Sequence, residues 1–169
     1  MTVLVVSASR HEATRGIATA IVEALRDAGL KANDLAPADV HDLEPYEAVI
    51  LGSAIYGGEW MPEANAFVSR FDAALRRKPV WLFSSGPIGD PPLPEEPRAV
   101  ERLMGQLLPR GHRTFAGRLE PTRLGVVERT VARATGAPFG DYRDWAAIRA
   151  WANEIAATLA GLAPVPSAD

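Results

Sequence analysis

The chain has 169 residues, 47% of them hydrophobic, which suits one domain able to bury most of its apolar surface in a single core. Its formal charge of -3 lacks the basic balance of a general nucleic-acid binder. The absence of cysteine excludes disulfides, thiolate nucleophiles, iron-sulfur clusters and cysteine-zinc sites, and fits a reducing compartment.

The first element is the short apolar, β-branched run Val3 to Val6, which predicts a strand buried on both faces and ending near Ser7. No basic n-region precedes it, and no run approaches the roughly 18 apolar residues that span a bilayer, so the chain reads as soluble and cytoplasmic. Ile17, Ala18, Ile21, Val22 and Leu25 recur at helical spacing and predict a helix over Thr14 to Ala28, stopped by Gly29. Leu30 to Leu35, with Lys31, Asn33 and Asp34, is polar enough for a strand near the sheet edge. Ala48 to Leu51 predicts a third strand, ending at Gly52 and Ser53, and Ala64, Phe67, Val68 and Phe71 mark the next helix. Pro79 to Phe83 predicts a fourth strand ending at Ser84-Ser85-Gly86, with Val100, Leu103, Leu107 and Leu108 on the helix after it. The proline-rich piece Asp90 to Pro94 reads as an extended loop between them.

A fifth strand is expected within His112 to Leu119, and a capped closing helix over Asp144 to Leu159, striped by Ile148, Trp151, Ile155 and Leu159. Buried strands alternating with amphipathic helices pair in parallel, and right-handed crossovers put helices on both faces. The expectation is an α/β domain over residues 1–169, a doubly wound five-stranded parallel sheet of order 2-1-3-4-5. Residues 120–142 form an insertion in it, and residues 164–169 a frayed tail.

In such sheets ligands sit beyond the carboxyl ends of the strands. After the first strand, Ser7-Ala8-Ser9-Arg10-His11-Glu12-Ala13-Thr14 runs straight into a helix. Helix-start amides, hydroxyls and an arginine are what a phosphate dianion needs; the same residues also fit a plain turn capped by Thr14 or Ser9. After the third strand, Gly52 to Trp60 sets small residues around Tyr56 and Trp60, which suits a planar ring against backbone or packing of both aromatics on the following helix. Ser84 to Gly89 offers further amides and hydroxyls at the same end.

Placed at these three strand ends, the loops resemble the phosphate loop and the two ring loops of the flavodoxin family, over nearly the whole chain. Ser9-Arg10, the long segment after the fifth strand and the Asp144-Trp145 pair before the closing helix are similar to the branch that contains menaquinone-dependent protoporphyrinogen oxidase. The resemblance implies that flavin mononucleotide (FMN) is the cofactor, its phosphate held by Ser9, Arg10, His11, Ala13 and Thr14. It implies that Ala54, Ile55, Tyr56 and Gly57, with Ser84, Ser85, Gly86 and Gly89, frame the isoalloxazine. It also implies flavin redox chemistry on a porphyrinogen-like substrate with a quinone acceptor. Where the family usually has glycine this chain has Glu12, a carboxylate in a loop that receives a dianion.

Other chemistries lack their residues. His11, His41 and His112 share no ligand motif, so no metal is expected, and there is neither a G-x-x-x-x-G-K-[ST] loop nor a G-x-S-x-G elbow. Residues 110–133 hold six arginines against two glutamates in an acidic chain. With Leu124, Val126, Val127 and Val131 between them, they suit an amphipathic helix facing a membrane surface or an acidic partner, or an ordinary solvated one. Three function classes stay open: a quinone- or porphyrinogen-linked flavoenzyme, with an NAD(P)H-dependent FMN or quinone reductase as its relative; a one-electron carrier; and a flavin-free interaction domain. The expected partners are a redox partner or small-molecule substrate, with peripheral membrane contact through 120–142 and homodimerisation as further expectations.

Overall fold

Strand β1 (Thr2–Ala8) is the axis of the sheet, buried from Val3 to Ala8 in a computed structural model that describes residues 1–10, 12–86, 98–119, 125–134 and 139–162. Helix α1 (Ala13–Asp27) follows it and ends at Gly29, whose φ of +85° permits the left-handed stop. There the Leu30 amide donates to the Leu25 carbonyl and the Gly29 amide to that of Arg26, capping the last turn. Strand β2 (Lys31–Leu35) pairs in parallel with β1 at the sheet edge, where its polar residues were expected.

Strand β3 (Ala48–Tyr56) runs on through Gly52 and Ser53, where its end was expected, to Tyr56. Gly52 allows this: its missing side chain leaves the space that the Phe83 ring fills, so the strand continues where a loop was expected. Gly57 and Gly58, at φ +59° and +81°, then turn the chain into β4 (Glu59–Trp60), antiparallel to the tip of β3. Helix α2 (Pro62–Leu75) opens with proline in its first turn and bends at Phe71, whose φ of -113° is not helical. Strand β5 (Val80–Ser85) carries the run from Val80 to Phe83 and includes Ser84 and Ser85.

Helix α3 (Arg98–Leu107) buries Val100, Leu103 and Leu107, but Leu108, expected on the same stripe, lies beyond its end. Leu108 adopts φ +49° and is 81% exposed, because its amide closes the helix onto the Met104 carbonyl. The expected fifth strand is shorter: β6 (Gly111–Phe115) joins the sheet, while β7 (Arg118–Leu119) leaves it. After α4 (Val126–Ala134), β8 (Gly140–Asp141) returns to pair antiparallel with β7, tying the ends of the insertion together. Helix α5 (Trp145–Leu162) closes the chain, with the Asp144 carboxylate accepting the Ala147 amide at 2.9 Å.

The parallel strands lie in the order β2-β1-β3-β5-β6, which is 2-1-3-4-5 among the five core strands. Alternate side chains feed two cores. Val3, Val5, Ile50, Trp81 and Phe83 meet α1 and α5 on one face; Leu4, Val6, Val49, Leu51 and Leu82 meet α2 and α3 on the other. Gly89, His11, the loop 90–94, Leu124 and the tail 164–169 lie outside the described residues.

Candidate functional site

Parallel register sets the level of the three loops. Ala8 of β1 is partnered with Ser53 of β3, and Ser53 with Ser84 of β5, so the chain leaves all three strands at the same end. From β1 it passes Ser9 and Arg10 to α1, whose first backbone hydrogen bond joins the Gly16 amide to the Glu12 carbonyl. The amides of Ala13, Thr14 and Arg15 precede that bond and form the electropositive start of the helix. Thr14 is 1% exposed, and neither its hydroxyl nor that of Ser9 makes a hydrogen bond to a described residue. Among the described residues the N-cap makes no side-chain cap hydrogen bond, and neither Ser9 nor Thr14 supplies one.

Glu12 occupies the N-cap position at φ 59°, ψ 0°, the left-handed region that favours glycine, with its side chain exposed. The conformation explains why glycine suits this position.

The two aromatics of the second loop separate. Tyr56 stands 43% exposed at the hairpin tip, with the Arg10 guanidinium 5.3 Å from its ring centre. Trp60, grouped with it in the sequence reading, is 2% exposed, and its indole N–H donates to the Ser84 hydroxyl at 2.9 Å. The Ser84 hydroxyl also lies 3.0 Å from His112 Nε2, so it is occupied on both sides and only backbone remains there to face a ligand. Ser85 differs: it is 3% exposed, and its hydroxyl has no hydrogen bond to a described residue. Ser53 serves the scaffold, accepting the Met61 amide at 2.9 Å where α2 begins.

Gly86, at φ +135°, donates its amide to the Phe115 carbonyl and lies close to Ile55 and Gly117. A side chain there would sit 3.4 Å from the Ile55 carbonyl, so the second and third loops meet backbone to backbone. Ala54 is buried, Ile55 half-buried and Gly57 exposed along the same rim. Ser9, Arg10, Ala13, Thr14, Ala54, Ile55, Tyr56, Gly57, Ser85 and Gly86 thus occupy one end of the sheet.

Sequence reasoning missed Arg143. Its guanidinium is buried against the first turn of α1, with Nη1 3.4 Å from the Ala13 carbonyl. Nε and Nη2 donate to the two oxygens of Asp141 at 2.8 and 2.5 Å, and the group lies 4.4 Å from the Trp145 ring centre. Gly16 makes room for it, since a Cβ there would come within 2.5 Å of Nη1. The arginine's hydrogen bonds hold the Asp141 carboxyl below the usual carboxylate range. The only signal in the sequence was its position beside the Asp144-Trp145 pair.

The flavodoxin domain family matches residues 4–138 of the chain. The chain belongs to the flavodoxin domain family. An archaeal flavodoxin superposes with a TM-score of 0.67 at 15% identity, covering 95% of this chain and 99% of that one. A cysteine-to-serine mutant of a Pseudomonas aeruginosa flavodoxin gives 0.62 at 20% identity, covering 95% and 100%. The rubredoxin oxygen:oxidoreductase of Desulfovibrio gigas gives 0.63 at 16%, with 96% of this chain on 37% of that one. Such likenesses carry the fold. No curated protein matches the sequence.

Membership in this family implies FMN as the cofactor, and the donor set fits it. Three helix-start amides, two hydroxyls with no hydrogen bond to a described residue, and Arg10 suit a phosphate dianion, while the exposed Tyr56 ring and the Ile55–Gly86 backbone rim suit a planar ring. Among the described residues, no group of three or more His, Asp or Glu is placed to hold a metal, and no helix is long and apolar enough to cross a membrane.

Proposed function

We propose that the chain is an FMN-binding oxidoreductase of the flavodoxin type. The observation that supports this reading is the contact of Arg10 with Tyr56, where the loop after β1 meets the tip of β3 at one sheet end. In this reading the Ala13, Thr14 and Arg15 amides, the Ser9 and Thr14 hydroxyls and the Arg10 guanidinium hold the phosphate. Tyr56 covers one face of the ring. The backbone from Ala54 to Gly57 and the Ser85-Gly86 turn line its edge and keep water from it. The bound flavin supplies the electron or hydride chemistry, so no side chain is assigned as acid or base.

The finer reading is oxidation of a porphyrinogen-like substrate with a quinone acceptor. Two features of the insertion support it. Arg143 and Asp141 anchor the base of the insertion to the phosphate helix, and Val126 and Val127 of α4 stand 81% and 76% exposed beside Arg129. An exposed apolar pair on a basic helix suits a lipid-soluble acceptor or the membrane surface that contains it. The test is stopped-flow reoxidation of the reduced, FMN-loaded protein by a membrane-embedded menaquinone. Fast reoxidation that slows in Val126→Asp/Val127→Asp supports the reading. Slow quinone turnover beside fast transfer to a one-electron acceptor protein favours the carrier, and rapid NADPH oxidation favours the reductase.

A further inference from the structure

At the opposite end of the sheet, where β5 begins, a cavity of about 530 Å³ opens between the α2–β5 and α3–β6 connections. Arg76, Arg77, Lys78, Gln106, Leu108 and Arg110 line it over a floor that includes Pro79 and Val80. Its volume falls in the range of small-molecule sites, roughly 300–1,000 Å³. Val80 borders the cavity and Ser85 borders the flavin loops, so the length of β5 separates the two sites by about 17 Å at about 3.3 Å per residue.

The polar groups around the cavity are arranged unequally. Asp72 accepts Arg76 Nε at 3.0 Å and Gln106 Nε2 at 2.8 Å, and these bonds hold its carboxyl below the usual range. Lys78 Nζ donates to the Tyr46 carbonyl at 2.6 Å. Arg77 and Arg110 are exposed, and their guanidiniums have no hydrogen-bond or ion-pair partner among the described residues. Four cations therefore line one concave surface in a chain of net charge -3, and Asp72, paired with Arg76, is not among the lining residues. A cleft of one sign concentrates the opposite one.

Leu108 adds a second, independent observation. It holds the left-handed position that ends α3, where glycine is the usual occupant, and it displays its side chain at 81% exposure on the cavity rim. A leucine is disfavoured here both by conformation and by exposure, and residues kept in such positions concentrate at ligand sites.

We infer that this cavity is a second ligand site, for a phosphate monoester that carries an apolar group. Arg77 and Arg110 take the phosphate oxygens with their planar donor forks, and Arg76 and Lys78 add charge from fixed positions. Leu108 covers the apolar group.

The test is a titration of the protein followed by amide NMR shifts, at constant ionic strength, with inorganic phosphate in one arm and phenyl phosphate in the other. Saturable shifts are expected at Lys78, Leu108 and Arg110, with phenyl phosphate binding about fivefold more tightly than inorganic phosphate. Arg77→Gln/Arg110→Gln should weaken both by about tenfold or more. Leu108→Gly should erase the preference for phenyl phosphate while raising the melting temperature, a combination that a merely structural leucine would not give. Shifts that do not saturate, that survive the double substitution, or that are confined to Ala13–Gly16 at the α1 loop would overturn the inference. Equal affinity for the two phosphates would do the same.

Discussion

Replacing Glu12 separates two effects that meet at one residue, backbone strain and charge. Its φ of 59° costs a side-chain-bearing residue about 1–2 kcal/mol, which glycine avoids, less about 0.4–1 kcal/mol for the freedom that glycine adds to the unfolded chain. Its charge acts differently: an exposed carboxylate at the helix start that receives a phosphate dianion opposes binding by about 1 kcal/mol in water-like surroundings, reduced further by salt. Glu12→Gln removes the charge and keeps the strain, whereas Glu12→Gly removes both. Both variants also lose the favourable field between a carboxylate and the start of α1, so their difference isolates the backbone. The expected result is that both bind FMN about three- to fivefold more tightly, with riboflavin affinity unchanged. Glu12→Gly should also melt about 2–4 °C above Glu12→Gln, the shift that about 1 kcal/mol gives a chain of this size. Calorimetric titration with both flavins and thermal melts of both variants supply the measurements. Unchanged FMN affinity in Glu12→Gln would refute the electrostatic half, and a Gly variant less stable than the Gln variant would refute the strain.

Gly52→Ala puts a methyl group into the volume of the Phe83 ring, which Phe115 and Trp151 hold at centroid distances of 6.3 Å each. It should cost about 1–3 kcal/mol in denaturant unfolding, with partial recovery in Gly52→Ala/Phe83→Leu; additive losses would refute the packing argument. Arg143→Met should weaken FMN several-fold and leave riboflavin unaffected, because Arg143 steadies the turn that holds only the phosphate; equal losses for both flavins would contradict this role. The Asp141 carboxyl titrates below its unfolded value, so its contribution to stability is complete above the usual carboxylate range and is lost as pH falls through the depressed native value. In Asp141→Asn the acid limb of the stability profile should therefore be shallower, and an unchanged limb would remove the linkage. Arg10→Ala should weaken FMN more than riboflavin, and an equal effect on both would refute the assignment of the phosphate loop.

The sheet was legible because buried parallel strands need apolar side chains on both faces, and Val3–Val6, Ala48–Leu51 and Val80–Phe83 have little else. The residues before α1 were legible as a helix start with hydroxyls and an arginine, a pattern that fits a phosphate site and a capped turn alike. Where β3 ends was hidden, because Gly52 reads as a turn until the Phe83 ring is seen to fill its space. Leu108 was misplaced because helical spacing cannot tell the last buried position from the first residue beyond the helix. Tyr56 and Trp60 looked alike for want of the Ser84 hydroxyl, which lies 24 residues from Trp60 and draws its indole inward. Arg143 reaches α1 across 130 residues, a contact that no local pattern encodes.

The most direct test of the central claim is titration of FMN into flavin-stripped protein, followed by quenching of flavin fluorescence, beside a parallel titration with riboflavin. The loops at the ends of β1, β3 and β5 predict saturation at one FMN per chain, with riboflavin at least about tenfold weaker for want of the phosphate contacts. Absence of saturable quenching, or equal affinity for the two flavins, would contradict a site built around the phosphate at the start of α1.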